Sequence, residues 1–349
     1  MKTWVFSVEE LWAGEWLGRS RVVADARGFR LATDADPEPS GHLAGTLFPG
    51  FRDAHVHLGL VDGSALVKAG IAAVDDFGWD PVIAAGWADD DTLPTVRYAG
   101  RLLTAPGGYP TEAGWAPEGA IEPVASSAAA AAAVDRQLDA GASFIKIALN
   151  SDAGPVFDDA TLHATVGHAH ARGVIVAAHA QGSGQAARAY AVGVDRLAHA
   201  PWSESLSDEL LAGMARRQSW VSTLDIHGWG ERGREFEIAQ QNVRRFGELG
   251  GTVLYGTDLG NGPLPLGINE RELAALADAG LSPDALVASI AGGTSGVPGV
   301  PGAPAALDAG AGYLGRRASY IAEPRTPDTA AWLATASVIT TDSLEGLLS

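Results

Sequence analysis

Between residues 50 and 300 the sequence alternates short apolar runs with alanine- and leucine-rich helical segments. Glycines such as Gly141, Gly173 and Gly250 stand just past predicted helix ends, where a left-handed cap needs glycine. Strand–helix alternation implies a parallel sheet, and eight units of this length have the size of a (β/α)8 TIM barrel. The predicted strands are Gly50–Leu58, Ile71–Phe77, Thr95–Ala99, Phe144–Leu149, Val174–His179, Arg196–Ala200, Trp220–Ile226 and Thr252–Asp258, and the predicted helices include Ala125–Ala140, Asp159–Arg172, Gly184–Val192, Ser207–Arg217 and Glu235–Leu249.

The two ends of the chain have a different pattern. The N-terminal segment contains short β-type runs separated by turns, and two more such runs occur at 318–322 and 336–340. Before them, residues 292–312 are rich in glycine and proline, which predicts a linker. We therefore predict an α/β chain in which both termini form a small β-sandwich domain beside the barrel. The predicted bounds are 1–49 and 304–349 for the two parts of the β-sandwich and 50–303 for the barrel.

Composition limits the partners and the chemistry of such a protein. The 349 residues include 42 acidic and 24 basic residues, a formal charge of −18, and no cysteine. An acidic chain without a basic block argues against nucleic acid and membrane surfaces as partners. Without cysteine, a metal must be bound by histidine, carboxylate or another oxygen ligand. The absence of a long apolar run, and the acidic residues near the N-terminus, predict a soluble, cytoplasmic protein.

Candidate metal ligands recur at the ends of the predicted strands. His55 and His57 are two residues apart in one strand, so they project from the same face. His179, His199 and Asp258 each lie at or near the end of a later strand. A His-x-His pair alone is a weak signal, because it is more often two partly buried polar residues near the end of a strand. Because the C-terminal ends of barrel strands converge on one face, however, we expect these five side chains to meet there.

Lys146 is one of three lysines in the chain and stands inside the apolar strand Phe144–Leu149. An ammonium group in a barrel interior is poorly solvated, and this lowers the pKa of the lysine. The neutral amine can react with CO2 to give a carbamate, an anion whose two oxygens can bridge two cations. The alternative is a structural lysine that is paired with an interior carboxylate.

Together these motifs resemble the amidohydrolase superfamily, specifically its binuclear imidazolonepropionase-like and prolidase-like members. The resemblance covers nearly the whole chain and implies a TIM barrel with a small β domain. It also implies a hydrolase that cleaves a C–N bond in an amide, cyclic amide or dipeptide. The motifs that carry it include LFPGFRDAHVHL (47–58), AGASFIKI (140–147), ARGVIVAAHAQG (171–182), VDRLAHA (194–200) and YGTDLG (255–260).

The resemblance implies a centre with two divalent metal ions. Zinc is the expected metal, because imidazole and carboxylate ligands suit it. A hydroxide that bridges the two metals would attack the scissile carbonyl, and Asp258 would take its proton and deliver it to the leaving group. The implied ligands are His55, His57, carbamylated Lys146 and Asp258 for one ion, and the same carbamate, His179 and His199 for the other.

Two departures bear on which reaction is expected. No acidic residue follows His179 in the segment AQGSG, where mononuclear deaminases of the superfamily carry a glutamate, and this favours the binuclear hydrolase. Gly107-Gly108-Tyr109 stands where many relatives have Gly-Gly-His, so the relatives do not specify the substrate. A lactone, ester or phosphoester substrate is the alternative for the same centre, because fold and metals do not fix the substrate. A non-catalytic metal-binding barrel is the rival from another class.

Several aromatic residues and one histidine follow predicted strands. Tyr109, Trp202, Trp229 and His227 are candidates for contact with a small-molecule substrate. Packing of loops over the barrel rim is the alternative role for these side chains. Homo-oligomers are compatible with the sequence but not specified by it.

A dipeptidase would also need a cation for the carboxylate of its substrate. Arg101, Arg232 and Arg234 lie near the predicted catalytic face, but none stands in a diagnostic motif. The sequence therefore leaves a dipeptide substrate possible but unsupported.

Overall fold

The computed structural model describes residues 2–292 and 312–348. Most of the predicted linker and the predicted bound at residue 303 lie outside these ranges. No helix in the described ranges is long and apolar enough to cross a bilayer.

The strands are β1 Trp4–Trp12, β2 Trp16–Asp25, β3 Gly28–Leu31, β4 His42–Pro49, β5 Arg52–Val56, β6 Ala73–Asp76, β7 Thr95–Tyr98, β8 Leu102–Thr104, β9 Ile121–Pro123, β10 Ile145–Asn150, β11 Val176–Gln181, β12 Arg196–Leu197, β13 Ser219–Val221, β14 Thr252–Leu254, β15 Tyr313–Gly315, β16 Ala318–Ile321 and β17 Ser337–Ile339. The α-helices are α1 Ser64–Lys68, α2 Pro81–Trp87, α3 Ser127–Asp139, α4 Asp159–Ala171, α5 Gln185–Ala191, α6 Asp208–Ala215, α7 Arg234–Glu248, α8 Glu270–Asp278, α9 Pro283–Ala291 and α10 Thr329–Ala334.

Parallel strands close into the predicted barrel. Strands β5, β6 and β7 pair in one parallel sheet, and β8 and β10 to β14 pair in another. The third barrel position joins the two sheets because it is split into β7, which pairs with β6, and β8, which pairs with β10. After β14 the chain returns to β5: the Ala54 amide donates to the carbonyl oxygen of Tyr255 at 3.0 Å, and the Asp258 amide to that of His55 at 2.8 Å. These bonds complete the ring.

Local sequence explains where the barrel helices begin and end. The Asp158 side chain accepts a hydrogen bond from the Thr161 amide and caps the start of α4. Gly141, Gly173 and Gly250 have φ values of 90°, 76° and 80°, so the predicted left-handed caps are present. Strand β9 is not predicted, because Ile121–Pro123 is a short run that ends in proline, and proline within a run argues against a strand.

Strands from both ends of the chain form one seven-stranded sheet, in the order β15-β3-β2-β1-β4-β16-β17. The C-terminal strand β16 pairs antiparallel with β4, with Ala318 opposite Pro49 and Ile321 opposite Thr46. This sheet is the predicted small β domain, and the predicted runs at 318–322 and 336–340 correspond to β16 and β17. Its core contains Phe6, Val8, Leu11, Val22, Phe29, Leu43, Leu47, Leu314 and Ile339.

The barrel interior contains a layer of apolar side chains, called here the apolar layer. Its members come from every barrel strand position and form one buried cluster, which is separate from the larger core outside the strands. Side chains from strands all around a barrel can meet only at its axis. The apolar layer consists of Ala54, Phe77, Ala99, Phe144, Ile175, Ala177, Ala198, Val221 and Leu254.

An ion network lies on the N-terminal side of the apolar layer. Asp75 accepts hydrogen bonds from Arg52 at 2.5 Å, from Arg97 at 2.8 Å and from Arg196 at 3.2 Å. Each of these four residues precedes a member of the apolar layer by two positions, so it projects from the same face of its strand. Burial raises the pKa of Asp75, but the three guanidinium groups outweigh burial and the pKa is lowered. This arginine layer closes the N-terminal end of the barrel.

Candidate metal centre

The predicted ligands meet on the C-terminal side of the apolar layer. Lys146 follows Phe144 by two positions and His179 follows Ala177 by two, so both project into the barrel one step further along their strands. They line a cavity of about 190 Å³ at this end of the barrel. All six predicted ligands line it: His55, His57, Lys146, His179, His199 and Asp258.

The backbone at Gly256 packs closely against β5, and this brings Asp258 beside that strand. A Cβ atom on Gly256 would lie 2.3 Å from a methyl carbon of Val221 and 3.0 Å from the His55 nitrogen, so only glycine fits there. Asp258 itself has φ of 56°, a conformation that non-glycine residues rarely adopt. Such strain persists where surrounding structure holds it, and it is concentrated at functional sites. Here the Asp258 amide is bonded to His55, and the Asp258 carboxylate accepts from the Asn261 side-chain amide at 2.9 Å.

His55 and Asp258 provide the test of whether a cation fits. Nδ1 of His55 lies 2.7 Å from the carbonyl oxygen of Ala198; since a carbonyl only accepts, this nitrogen carries the proton. Burial lowers the pKa of His55 to about 4, so the ring is neutral and Nε2 holds a lone pair. That lone pair faces Oδ1 of Asp258 at 3.1 Å, and both atoms are buried without a hydrogen-bond donor. Two facing acceptors fit a bound cation.

Other histidines extend this acceptor cluster. Nε2 of His57 lies 3.4 Å from Oδ1 of Asp258, and ligand atoms of His55, His199 and Asp258 lie within 4.8 Å of one another. The His179 and His199 ring centroids are 4.9 Å apart. Burial lowers the pKa of His179 to about 3 and that of His199 well below its ordinary value. The neutral imidazoles of His55, His179 and His199 beside one carboxylate have the donor chemistry that divalent metals require.

Lys146 is fully enclosed at the base of the cavity. Its side chain is 2% exposed, and Nζ lies 4.7 Å from the centroid of the Phe77 ring of the apolar layer. Burial lowers the pKa of Lys146 to about 7, although the nearby charges of Asp258 and Asp76 act in the opposite direction. A large fraction of this amine is therefore unprotonated near neutral pH.

Aromatic side chains form the walls of the cavity. Tyr109 stacks on His179 with a centroid distance of 4.9 Å, and its hydroxyl accepts a hydrogen bond from the Trp115 indole at 3.3 Å. Burial, with the charge of Asp258, raises the pKa of Tyr109 to about 12. Trp202 presents its ring to His199 at 5.3 Å in a perpendicular arrangement. Tyr109 and Trp202 thus lie beside the candidate ligands.

Of the remaining two predicted contact residues, one lines the cavity and the other does not. His227 lines the cavity 4.9 Å from the Trp202 ring, and its Nε2 is buried without a partner among the described residues. Trp229 is 44% exposed, donates to the Asn261 carbonyl oxygen at 3.3 Å and lies outside the cavity lining. Its role in substrate binding stays a prediction.

Some residues at this site are missed by sequence reasoning. Gln181 lines the cavity and follows His179 by two positions in β11, so strand alternation is a signal that identifies it. Asn261 lies in a loop and Glu272 in a helix, where no pattern marks them. Glu272 is buried and accepts hydrogen bonds from the Leu224 and Asp225 amides at 2.9 and 2.7 Å. It thereby holds the short loop that carries His227.

The barrel and the small β domain define the class of fold. The histidine, aspartate and lysine side chains lie at the C-terminal ends of the barrel strands. Solved structures of this fold include an ochratoxinase of A. niger, with a TM-score of 0.74, 18% identity, and coverage of 97% of this chain and 95% of that one. An Xaa-Pro dipeptidase with bound methionine has a TM-score of 0.73 and 17% identity over 100% of both chains. A prolidase complexed with N-methylphosphonate-L-proline has a TM-score of 0.71 and 19% identity, over 100% of this chain and 99% of that one. This likeness establishes the fold.

Sequence comparison adds two groups of findings. No protein-family model matches the chain. Uncharacterized proteins of Mycobacterium tuberculosis and Mycobacterium bovis are 29% identical over 187 residues, which is 49% of this chain and 48% of theirs. The chain thus spans about half the length of the curated relatives that it matches.

Proposed function

We propose that this protein is a metal-dependent hydrolase that cleaves a C–N bond of a small molecule. The observation that carries the proposal is the pair of facing acceptors, Nε2 of His55 and Oδ1 of Asp258, buried 3.1 Å apart in a cluster of neutral imidazoles. The fold supports it, because solved structures of the same fold include a dipeptidase and a prolidase. The bond belongs to an amide, a cyclic amide or a dipeptide.

We propose that the cluster binds two divalent cations and that these are zinc. Imidazole and carboxylate donors without thiolate suit zinc, and the chain contains no cysteine. The proposed ligands are His55, His57, carbamylated Lys146 and Asp258 for one cation, and the carbamate, His179 and His199 for the other.

The proposed carbamate forms on the Lys146 side chain. The Nζ lone pair attacks the carbon of CO2, a C–N bond forms, and the nitrogen loses its proton to solvent. Burial of Lys146 against the Phe77 ring supports this step, because it favours an uncharged amine over ammonium. The resulting anion would supply the second negative charge that two divalent cations need beside Asp258.

When bound, the two cations polarise the scissile carbonyl and lower the pKa of water so that it attacks near neutral pH. Asp258 accepts a proton from the attacking water and donates it to the leaving nitrogen. The Asn261 amide, 2.9 Å from Oδ2 of Asp258, orients the carboxylate for this transfer. Tyr109 and Trp202 confine the substrate beside the ligands and exclude water.

Elemental analysis and a substrate panel test the proposal. Purified protein with zinc and bicarbonate should hold close to two metals per chain, and Lys146→Ala should lose most of them, whereas Lys68→Ala serves as the control. The panel contains N-acyl amino acids, dipeptides, cyclic amides, lactones, esters and phosphoesters. Cleavage of lactones or esters alone would assign the alternative chemistry. Full metal occupancy with no turnover of any compound would assign a non-catalytic metal-binding barrel.

A further inference from the structure

We infer that the site takes a substrate without ionic ends, an N-acylated and amidated or cyclic amide, in preference to a free dipeptide. This inference rests on the proposed function, because it names the substrate class of the same site.

The cavity offers no cation or anion beyond the proposed ligands. Among the residues that line it, Lys146 is the one lysine or arginine and Asp258 the one acid. A carboxylate or ammonium removed from water needs an opposite charge or several hydrogen bonds. The other lining residues are aromatic, aliphatic or neutral polar, and include Tyr109, Trp115, Gln181, Trp202, Ile226 and Asn261.

Three arginines near this end of the barrel have other partners, and Arg234 is exposed and does not line the cavity. Arg101 donates to the Gly119 carbonyl oxygen at 2.9 Å, Arg232 pairs with Asp278, and Arg271 pairs with Asp225 at 2.8 Å. All 24 lysines and arginines of the sequence fall within the described residues, so no further one is left for the cavity. Apart from the proposed metal ions, which act on the scissile bond, the cation that a dipeptide carboxylate requires is therefore missing.

Two of the neutral donors that line the cavity are engaged: the Trp115 indole donates to Tyr109 and the Asn261 amide to Asp258. The Tyr109 hydroxyl, the Gln181 side-chain amide and the Trp202 indole also line the cavity, and such neutral donors suit the carbonyl oxygens of an uncharged substrate.

His227 adds one more polar atom to the cavity, its buried Nε2, which has no partner among the described residues. A neutral nitrogen suits a carbonyl or amide of the substrate, whereas a carboxylate binds most strongly to a cationic partner such as arginine. His227 is thus a polar contact for a neutral substrate.

The charge of the whole chain acts in the same direction. With 42 acidic and 24 basic residues, the protein repels anions from its surface and lowers their local concentration. This long-range contribution is screened by salt, while the contribution of a buried cavity is not. The two contributions can therefore be separated by experiment.

Two anilides differ in one remote charge and provide the test. N-acetyl-phenylalanine 4-carbamoylanilide is neutral, and its 4-carboxyanilide counterpart carries an anion, with the same scissile amide. With zinc-loaded protein, turnover is followed by chromatography and binding by calorimetry. We expect kcat/KM and affinity at least tenfold higher for the neutral compound, with the difference kept in 1 M NaCl. Equal or better use of the carboxylate, a preference lost in 1 M NaCl, or no binding of either compound would overturn the inference.

The same pair separates this inference from the proposed function. If neither compound nor any member of the substrate panel is cleaved but the neutral anilide binds at least tenfold more tightly, the proposed hydrolase is contradicted and the inference on ligand charge stands. Ile226→Arg places a cation in the cavity lining and should shift the preference at least tenfold toward the carboxylate. Ile226→Met is the matched control and should keep the preference for the neutral compound. Failure of Ile226→Arg to shift it, in a folded protein, would contradict the argument from missing cations.

Discussion

Asp75 and Asp258 are both buried aspartates at opposite ends of one barrel interior, with the apolar layer between them. Asp75 receives three arginines from its own chain, at 2.5 to 3.2 Å. Asp258 faces the lone pair of the neutral His55 ring instead, and its Oδ1 has no donor among the described residues. Three guanidinium groups lower the pKa of Asp75, so the arginine layer has its counter-charges within the chain. At the other end, the proposed metal ions would supply the counter-charge.

The first prediction separates function from folding at the C-terminal end. Asp258→Asn removes the proton acceptor and one proposed ligand, and should lower kcat/KM by about 10⁴-fold, equivalent to about 5.5 kcal/mol. The free energy of unfolding of the metal-free protein should not fall, because the asparagine relieves a carboxylate that faces lone pairs. Steady-state kinetics and urea denaturation measure the two effects. A variant that keeps most of its activity would remove Asp258 from the mechanism.

The second prediction applies to the arginine layer. Asp75→Ala leaves three guanidinium groups in the barrel without a counter-ion, and should lower the free energy of unfolding by about 3–5 kcal/mol. Thermal and urea unfolding measure it, and Asp91→Ala, at an exposed ion pair with Arg316, is the matched control. Protein that folds should still bind metal, because the apolar layer separates the two ends. An unchanged stability would show that solvent reaches these arginines.

The third prediction is that removal of metal lowers the stability of the protein through the C-terminal end of the barrel and not through the arginine layer. A cation that binds only the folded state at 100 times its Kd adds about 2.7 kcal/mol of stability. Chelation of wild-type protein should therefore lower its Tm, and zinc should restore it. His199→Ala removes a ligand of one cation and should reduce this response, whereas Asp75→Ala should keep it. A Tm that does not respond to chelation in the wild type would argue against a bound cation.

The smallest effect concerns an ion pair outside the barrel, between His170 and Asp195 at 2.8 Å. The hydrogen bond to Asp195 raises the pKa of His170. Because the pKa of His170 is higher in the folded protein than in the unfolded chain, the ion pair stabilises the fold fully below pH 6.5, near the pKa of the unfolded chain. This stabilisation is lost as the pH rises through the pKa of the folded protein. Because the imidazole is part-exposed, the contribution should be about 0.2–1 kcal/mol. Comparing urea denaturation of wild type and His170→Gln at pH 5 and pH 9 measures it; a difference that grew with pH would contradict this sign.

Much of the ligand cluster could be predicted because its signals are local. Spacing of two places His55 and His57 on one face, and the ends of the predicted strands mark His179 and His199. The arginine layer was not predicted, since Arg52, Arg97 and Arg196 are recognisable as a group only through Asp75, which for Arg196 is 121 residues away. A polar residue within a strand pattern does not reveal its partner.

The sequence by itself determined the order of strands and helices, because apolar periodicity and glycine caps act within a few residues. It also determined which ligand types stand at the strand ends. Only the tertiary structure decided the protonation that makes the cluster an acceptor site: Nδ1 of His55 meets the carbonyl oxygen of Ala198, a residue 143 positions later. It likewise decided that no arginine lines the cavity. Both depend on contacts between distant residues, and such contacts exist only once the barrel has closed.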